Sequence, residues 1–167
     1  MLRRAAVSSF TVFVSVVFVI ATGALTTPAS AQSNSSAQTQ TPSKQLMQDI
    51  WTGWATLDTA NVSRFYDKNP NDTFFDVMPL KYKGWSAYES GVKNIFAQWQ
   101  SMKATVNDDA EVHADRNLYW GTATVHLEIT PKQGNPMTLD LRWTALWQKQ
   151  GKQWLIVHEH VSAPLQQ

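Results

Sequence analysis

Two histidines near the C-terminus show the clearest potential for chemistry in the sequence. In the strand predicted over Trp154–Ser162, side-chain alternation places His158, His160 and Ser162 on one side. The other side carries Leu155, Val157, Glu159 and Val161. Two imidazoles at this spacing could transfer protons, orient a ligand carboxylate or bind a metal, or they could form hydrogen bonds within the sheet or at a subunit contact. His158 and His160 are therefore candidate catalytic residues.

A metal held by the two histidines would need a further ligand. Catalytic zinc takes three protein ligands and keeps one position open. His126 or Asp76 could be the third ligand, but their placement does not follow from the sequence. The chain has no P-loop, dinucleotide fingerprint, Gly-x-Ser-x-Gly elbow or His-Glu-x-x-His motif, so nucleotide chemistry, elbow hydrolases and zincins have no support. We predict no metal and no other cofactor.

Two other apolar strands each contain an ionisable side chain. Asp76 interrupts Phe74–Met78, where burial would raise the pKa of its carboxyl unless the group is paired. It is a candidate general base, and an Asp hydrogen-bonded to backbone at a strand end is the alternative. Arg142 lies in the apolar strand Met137–Lys149, so it needs a carboxylate partner from the protein or from a bound anion. Arg142 is therefore a candidate ligand-binding residue.

Aromatic residues could complete a pocket around these groups. Tyr66 and Tyr82 are candidate ligand-binding hydroxyls, with core tyrosines whose hydroxyls are satisfied as the alternative. Trp51, Trp54 and Trp99 could line an apolar cavity, although their helical spacing also suits a core. The sequence leaves these alternatives open.

Three helices and a run of strands are predicted to position these residues. The first helix follows the N-cap Ser43 and carries apolar residues at spacings of three and four, namely Leu46, Ile50, Trp54 and Leu57. The others are predicted through Val62–Tyr66 and Ser86–Gln100. After the short strand at Phe74, the predicted strands are Lys103–Ala114, Leu118–Thr130, Met137–Lys149 and Trp154–Ser162. Helices followed by consecutive antiparallel strands predict an α+β domain with the helices on one face of a curved sheet.

The N-terminal segment differs from the rest of the chain. Arg3 and Arg4 precede the uncharged stretch Ala5–Leu25, and Ala29-Ser30-Ala31 follows a proline, which predicts a signal peptide over residues 1–31 with cleavage after Ala31. A retained membrane anchor is the alternative, since about 20 apolar residues span a bilayer. We expect the mature protein to be periplasmic or secreted, without stable membrane insertion.

Composition restricts the mature protein further. Residues 32–43 are polar and predict a disordered linker, which leaves residues 44–167 as one domain. The absence of cysteine excludes disulfides, thiolate metal sites and cysteine nucleophiles, so the core, with its eight tryptophans, must stabilise the fold. Loss of Arg3 and Arg4 with the signal leaves 12 basic and 13 acidic residues. A chain without excess positive charge is not expected to bind nucleic acid.

The last strand resembles the closing motif of a known family. Gly151–Pro164, GKQWLIVHEHVSAP, is similar to the end of SnoaL-like domains of the nuclear transport factor 2-like superfamily and of the calcium/calmodulin-dependent protein kinase II association domain. Arg142-Trp143-Thr144 and Tyr82-Lys83-Gly84-Trp85 match further segments of the SnoaL-like group, and the resemblance extends over Lys44–Pro164. It implies a cystatin-like cone of three helices on a strongly curved antiparallel sheet, an apolar pocket inside, and homodimers formed through the sheet.

The resemblance does not imply one reaction, because members of the superfamily include isomerases, cyclases, dehydratases and assembly hubs. We expect an exported protein that holds a small apolar or carboxylate-bearing molecule, with polar contacts from Asp76, Arg142, His158 and His160, and secondary contacts from Tyr66 and Tyr82. One alternative is an isomerase, dehydratase or cyclase in which Asp76 or a histidine moves a proton. Another is an assembly module that dimerises through the sheet face carrying Trp143 or Trp120.

Overall fold

The computed structural model describes residues 40–165 of the chain. The predicted signal peptide and most of the predicted linker lie outside the described residues, so export and cleavage after Ala31 stay predictions. Within the described part, no helix is long and apolar enough to cross a membrane.

Three helices precede the long strands, as the sequence predicts. Helix α1, Lys44–Ala55, begins after Ser43, whose hydroxyl accepts a hydrogen bond from the backbone N–H of Leu46 at 3.2 Å. Helix α2 is the single turn Ala60–Ser63, so the prediction of a helix through Val62–Tyr66 is wrong beyond Ser63, and Tyr66 forms an isolated β-bridge with Ile156. Helix α3 spans Gly84–Phe96. Helix α3 ends earlier than expected, and the chain enters a strand at Trp99.

Seven strands form one curved sheet beneath the helices. They are β1 Thr73–Phe75, β2 Tyr82–Lys83, β3 Trp99–Val106, β4 Glu111–Asp115, β5 Leu118–Pro131, β6 Met137–Gln150 and β7 Gln153–Ser162. The order is β2-β1-β7-β6-β5-β3, and β4 also pairs with β5. The α+β class is confirmed. The sheet is mixed rather than wholly antiparallel, because β1 runs parallel to β7 while the other pairs are antiparallel.

The predicted strand Lys103–Ala114 is wrong as a single element. The chain turns between β3 and β4, where the backbone N–H of Asn107 donates to the carbonyl of Thr124 and the backbone N–H of Thr124 donates to the Asp109 carboxylate at 3.0 Å. Asn and Asp favour such turns because their side chains bond to nearby backbone. Strands β3 and β4 therefore pair with opposite halves of the long strand β5.

A β-bulge in β7 decides which of its residues face inward. His158 pairs with Leu146, but Ile156 pairs with Trp147, so Val157 is an extra residue. Beyond the bulge the predicted alternation holds, with Glu159 buried and His160 exposed. Before the bulge it is inverted: Ile156 is fully buried, whereas Leu155 and Val157 were expected to share the side of Glu159.

The core lies between the helices and the inner face of the sheet. Trp143 of β6 is buried there, with its ring 5.7 Å from Trp51 of α1 and 6.0 Å from Trp147 in edge-to-face contacts. Trp143 therefore lies on the inner face of the sheet and cannot contact a second subunit. The expectation that Trp143 belongs to a dimer surface is wrong. Trp120 lies on the outside and is 37% exposed.

Candidate functional site

A cavity of about 330 Å³ opens between the helices and the inner face of the sheet. Its walls are mostly apolar and aromatic, and the structure agrees with the expectation that Trp51, Trp54 and Trp99 line a cavity. Val77 and Met78, in the segment after β1, also line it and are 44% and 70% exposed, so they lie where the cavity meets solvent. The volume is at the low end of the ~300–1,000 Å³ found for small-molecule sites.

The carboxyl group of Glu159 on β7 is buried in the cavity wall, with only 1% of the residue exposed. Its Oε2 accepts hydrogen bonds from the Tyr66 hydroxyl at 2.8 Å and from Trp143 Nε1 at 3.0 Å, and its Oε1 accepts one from the Tyr88 hydroxyl. Trp54 Nε1 in turn donates to the Tyr66 oxygen at 3.1 Å. Three donors from separate parts of the chain therefore converge on one carboxyl group.

Burial dominates the proton affinity of this group. Loss of solvation raises the pKa of Glu159 to about 7, although the hydrogen bonds from Tyr88, Trp143 and Tyr66 lower it. Burial, followed by the nearby Glu159 charge, also raises the pKa values of Tyr66 and Tyr88 well above their ordinary value. Both tyrosines therefore remain neutral donors near neutral pH, while Glu159 changes its charge there.

Asp76 is the second carboxyl group of the cavity and has few protein partners. It follows the end of β1, is partly buried, and accepts a hydrogen bond at Oδ1 from the backbone N–H of Val77 at 2.7 Å. Burial raises the pKa of Asp76 to about 6, although that backbone hydrogen bond lowers it. Within residues 40–165 its carboxylate has no side-chain hydrogen bond and no ion pair, so it is available to a ligand.

The contacts expected from Arg142, His158 and His160 belong to the outer face of the sheet. His160 and Arg142 are exposed there, and neither lines the cavity. His158 is partly buried, with its Nδ1 2.7 Å from the carbonyl oxygen of Thr73, so this nitrogen carries the proton and donates to the neighbouring strand. His158 thus forms a hydrogen bond within the sheet, which is one of the alternatives that the sequence left open for the two histidines.

The two expected tyrosines occupy different places. Tyr66 is buried beneath the cavity as a donor to Glu159. Tyr82 borders a separate surface groove beside α3, and its hydroxyl donates to the carbonyl of Met78 at 3.2 Å. Of the six site residues expected from the sequence, the structure therefore brings Asp76 to the cavity and Tyr66 to its supporting network, while Tyr82 lies in the separate groove.

Sequence reasoning missed Glu159 and Tyr88 as site residues. A signal for Glu159 existed, because strand alternation placed it with Val161 on the side opposite the exposed His160. An acidic residue on the apolar face of a strand requires buried partners. Tyr88 belonged to the apolar stripe of α3, and its role as a donor depended on the position of Glu159, which the sequence did not define.

No metal centre is formed by the part of the chain that the structure describes, where no group of three or more His, Cys, Asp or Glu side chains could hold an ion. His126, considered above as a third ligand, lies on the outer face of the sheet, with its Nδ1 2.7 Å from Asp140 Oδ1. His126 is therefore paired with Asp140 at the protein surface, away from the two C-terminal histidines.

A curved sheet covered by helices and enclosing an apolar cavity defines the class of cone-shaped α+β pocket proteins. The chain belongs to the SnoaL-like domain family, whose model matches residues 44–166. Curated proteins include no match to its sequence.

Solved structures show the same fold at low sequence identity. A nuclear transport factor 2-like superfamily protein from Salmonella enterica is 18% identical, with 74% of this chain and 92% of that chain covered at a TM-score of 0.62. A candidate calcium/calmodulin-dependent protein kinase II association domain from Xanthomonas campestris is 19% identical, covering 73% and 85%, at 0.62. A candidate scytalone dehydratase from Novosphingobium aromaticivorans is 9% identical, covering 73% and 81%, at 0.65.

The buried Glu159 predicts an unusual pH dependence of stability. Its pKa rises from an ordinary value of 4.5 to about 7 on folding. The stability that the protonated Glu159 contributes to the folded state is therefore fully present below pH 4.5 and is lost as the pH rises through 7. We expect Glu159→Gln, which keeps the neutral form, to gain about 3 kcal/mol relative to the wild type between pH 4.5 and 8. Urea unfolding at several pH values measures this difference.

Asp115→Asn is the control, because it also converts an acid to its amide and Asp115 is exposed on β4. Its free energy of unfolding should run parallel to that of the wild type across the same pH range. If the free energies of unfolding of Glu159→Gln and the wild type changed in parallel with pH, the Glu159 carboxyl would not be buried as the structure shows.

Proposed function

We propose that this protein binds a small, largely apolar molecule in the cavity, with Asp76 as its polar contact. The observation that carries the proposal is the Asp76 carboxylate, which has no side-chain partner within residues 40–165 and lies in a mostly apolar wall. A few polar groups that fix orientation within apolar walls are typical of small-molecule sites. The exposed Val77 and Met78 at the margin leave the cavity open to an entering ligand.

The supporting network makes the site rigid before a ligand arrives. Tyr88 and Trp54 both line the cavity, and both take part in the hydrogen bonds that lead to Glu159. A preformed wall reduces the conformational entropy that binding would otherwise cost. The proposed ligand therefore meets rings that are already held in position.

Narrowing the cavity should block binding. Leu139 of β6 lines the cavity and is partly buried, so Leu139→Trp can place its larger ring in the open volume. We expect the neutral probe N-phenylnaphthylamine to bind the wild type and to bind this variant at least about tenfold more weakly, because a filled cavity has no room for it. Probe fluorescence, titrated with protein, measures both affinities.

Leu118→Trp is the matched control, since Leu118 lies at the exposed start of β5 away from the cavity. It should bind the probe like the wild type. Absence of binding by the wild type, or equal binding by folded Leu139→Trp, would contradict the cavity as the binding site.

A second candidate function is acid–base catalysis of the isomerase, dehydratase or cyclase type. The observation that favours it is the pKa of about 6 for Asp76, because a general base works best when its pKa is near the operating pH. Support also comes from the neighbour of similar fold that is named as a candidate scytalone dehydratase. In this function Asp76 would remove a proton from the bound substrate.

Ring opening of a nitrobenzisoxazole tests this capacity, because the reaction needs only one base to remove one carbon-bound proton. We expect acceleration that increases with pH through about 6, as Asp76 ionises. Asp76→Asn should lower the rate by about 100-fold or more, while Asp115→Asn, an exposed acid on β4, should leave it unchanged. A fully active Asp76→Asn would remove Asp76 from this role.

We also propose a homodimer formed through the outer face of β5, β6 and β7. Thr144 and Leu146 are only partly exposed on this face, and Trp120 stacks there on His113 with centroids 5.3 Å apart. Structural neighbours named as association domains support pairing.

Light scattering tests the dimer, and the wild type should give twice the mass of one chain. Leu146→Glu should give a monomer, because it places a charge on the outer face, whereas Lys132→Glu, in the β5–β6 turn, should remain a dimer. A monomeric wild type would exclude the dimer.

A further inference from the structure

The charge of the cavity is the feature that restricts its ligand. Among the described residues that line it, Asp76 and Glu159 are acidic and none is Lys, Arg or His. The basic side chains expected in the site, such as Arg142, are on the outer face instead. A carboxylate-bearing ligand would therefore meet like charge in an apolar surrounding, where such repulsion is strong.

The aromatic wall is suited to the apolar part of a ligand. The rings of Trp54, Phe96 and Trp99 form a continuous series, with centroids 6.0 Å apart for Trp54 and Phe96 and 5.6 Å apart for Phe96 and Trp99. Tyr88 extends the series, 5.7 Å from Trp54. These rings offer a large apolar surface against which the body of a ligand can pack.

We infer that the cavity selects a small lipophilic amine, whose ammonium group pairs with Asp76 while its apolar body packs against the aromatic wall. This inference rests on the proposed function and specifies the ligand class of the same site. The Asp76 carboxylate has an open position for the ammonium, because its one hydrogen bond comes from the adjacent backbone N–H. The volume of about 330 Å³ limits the body to roughly one or two rings or a short chain.

Three probes with one body and different head groups test the inference: phenylbutylamine, phenylbutanol and phenylbutyrate. Calorimetry at pH 7.5 should show that the amine binds at least about tenfold more tightly than the alcohol, because a charged hydrogen bond replaces a neutral one. The carboxylate should bind most weakly. Equal affinity for the amine and the alcohol, or a preference for the carboxylate, would overturn the inference while leaving the proposed cavity binding intact.

Two variants locate the selectivity. Asp76→Asn should reduce the preference for the amine to within about twofold while the alcohol keeps its affinity. The substitution removes the charge of Asp76 and keeps the size of its side chain. Asp115→Asn removes the same charge from an exposed position on β4 and should retain the full preference. Persistence of the preference in Asp76→Asn would overturn the assignment to Asp76. Failure of all three probes to bind the wild type would contradict the proposed function itself, and the inference would fall with it.

Discussion

Glu159 places a carboxyl group at the centre of the domain, where it is almost completely removed from water. Burying such a group is unfavourable unless it is hydrogen-bonded, and a donor left without its acceptor is unfavourable as well. Tyr66, Tyr88 and Trp143 meet this requirement from the segment after α2, from α3 and from β6. One side chain of β7 therefore fixes the position of helices and strands that are distant in sequence.

The same constraint leaves room for the cavity. At the Glu159 end the space is filled by large rings in contact, including Tyr66 and Trp85 with centroids 4.6 Å apart and Phe74 stacked on Tyr88 at 5.2 Å. These rings are held by the hydrogen-bond network and by each other, so they cannot spread toward Leu127 and Leu139 on the sheet. The unfilled volume consequently lies beside the network, with Asp76 at its margin.

Local pattern was sufficient to predict the presence of three helices, the Ser43 cap and the α+β class, but it extended the second and third helices past Ser63 and Phe96. The break between β3 and β4, the parallel pairing of β1 and the bulge at Val157 depend on partners elsewhere in the chain. For the site, alternation separated Glu159 from His160 correctly. It could not tell which of these sides the helices cover, and for this reason His160 was expected in the pocket and Glu159 was not.

The two cavity carboxyls have raised pKa values for the same reason, burial, but they differ in what a ligand can do to them. Glu159 already accepts hydrogen bonds at both oxygens, so a ligand gains little from contacting it. Asp76 has one backbone donor and no side-chain partner among the described residues. A bound cation would offset its lost solvation, favour its ionised form and stabilise the folded state by mass action. Glu159 thus acts within the fold, and Asp76 is the carboxyl that the proposed ligand would contact.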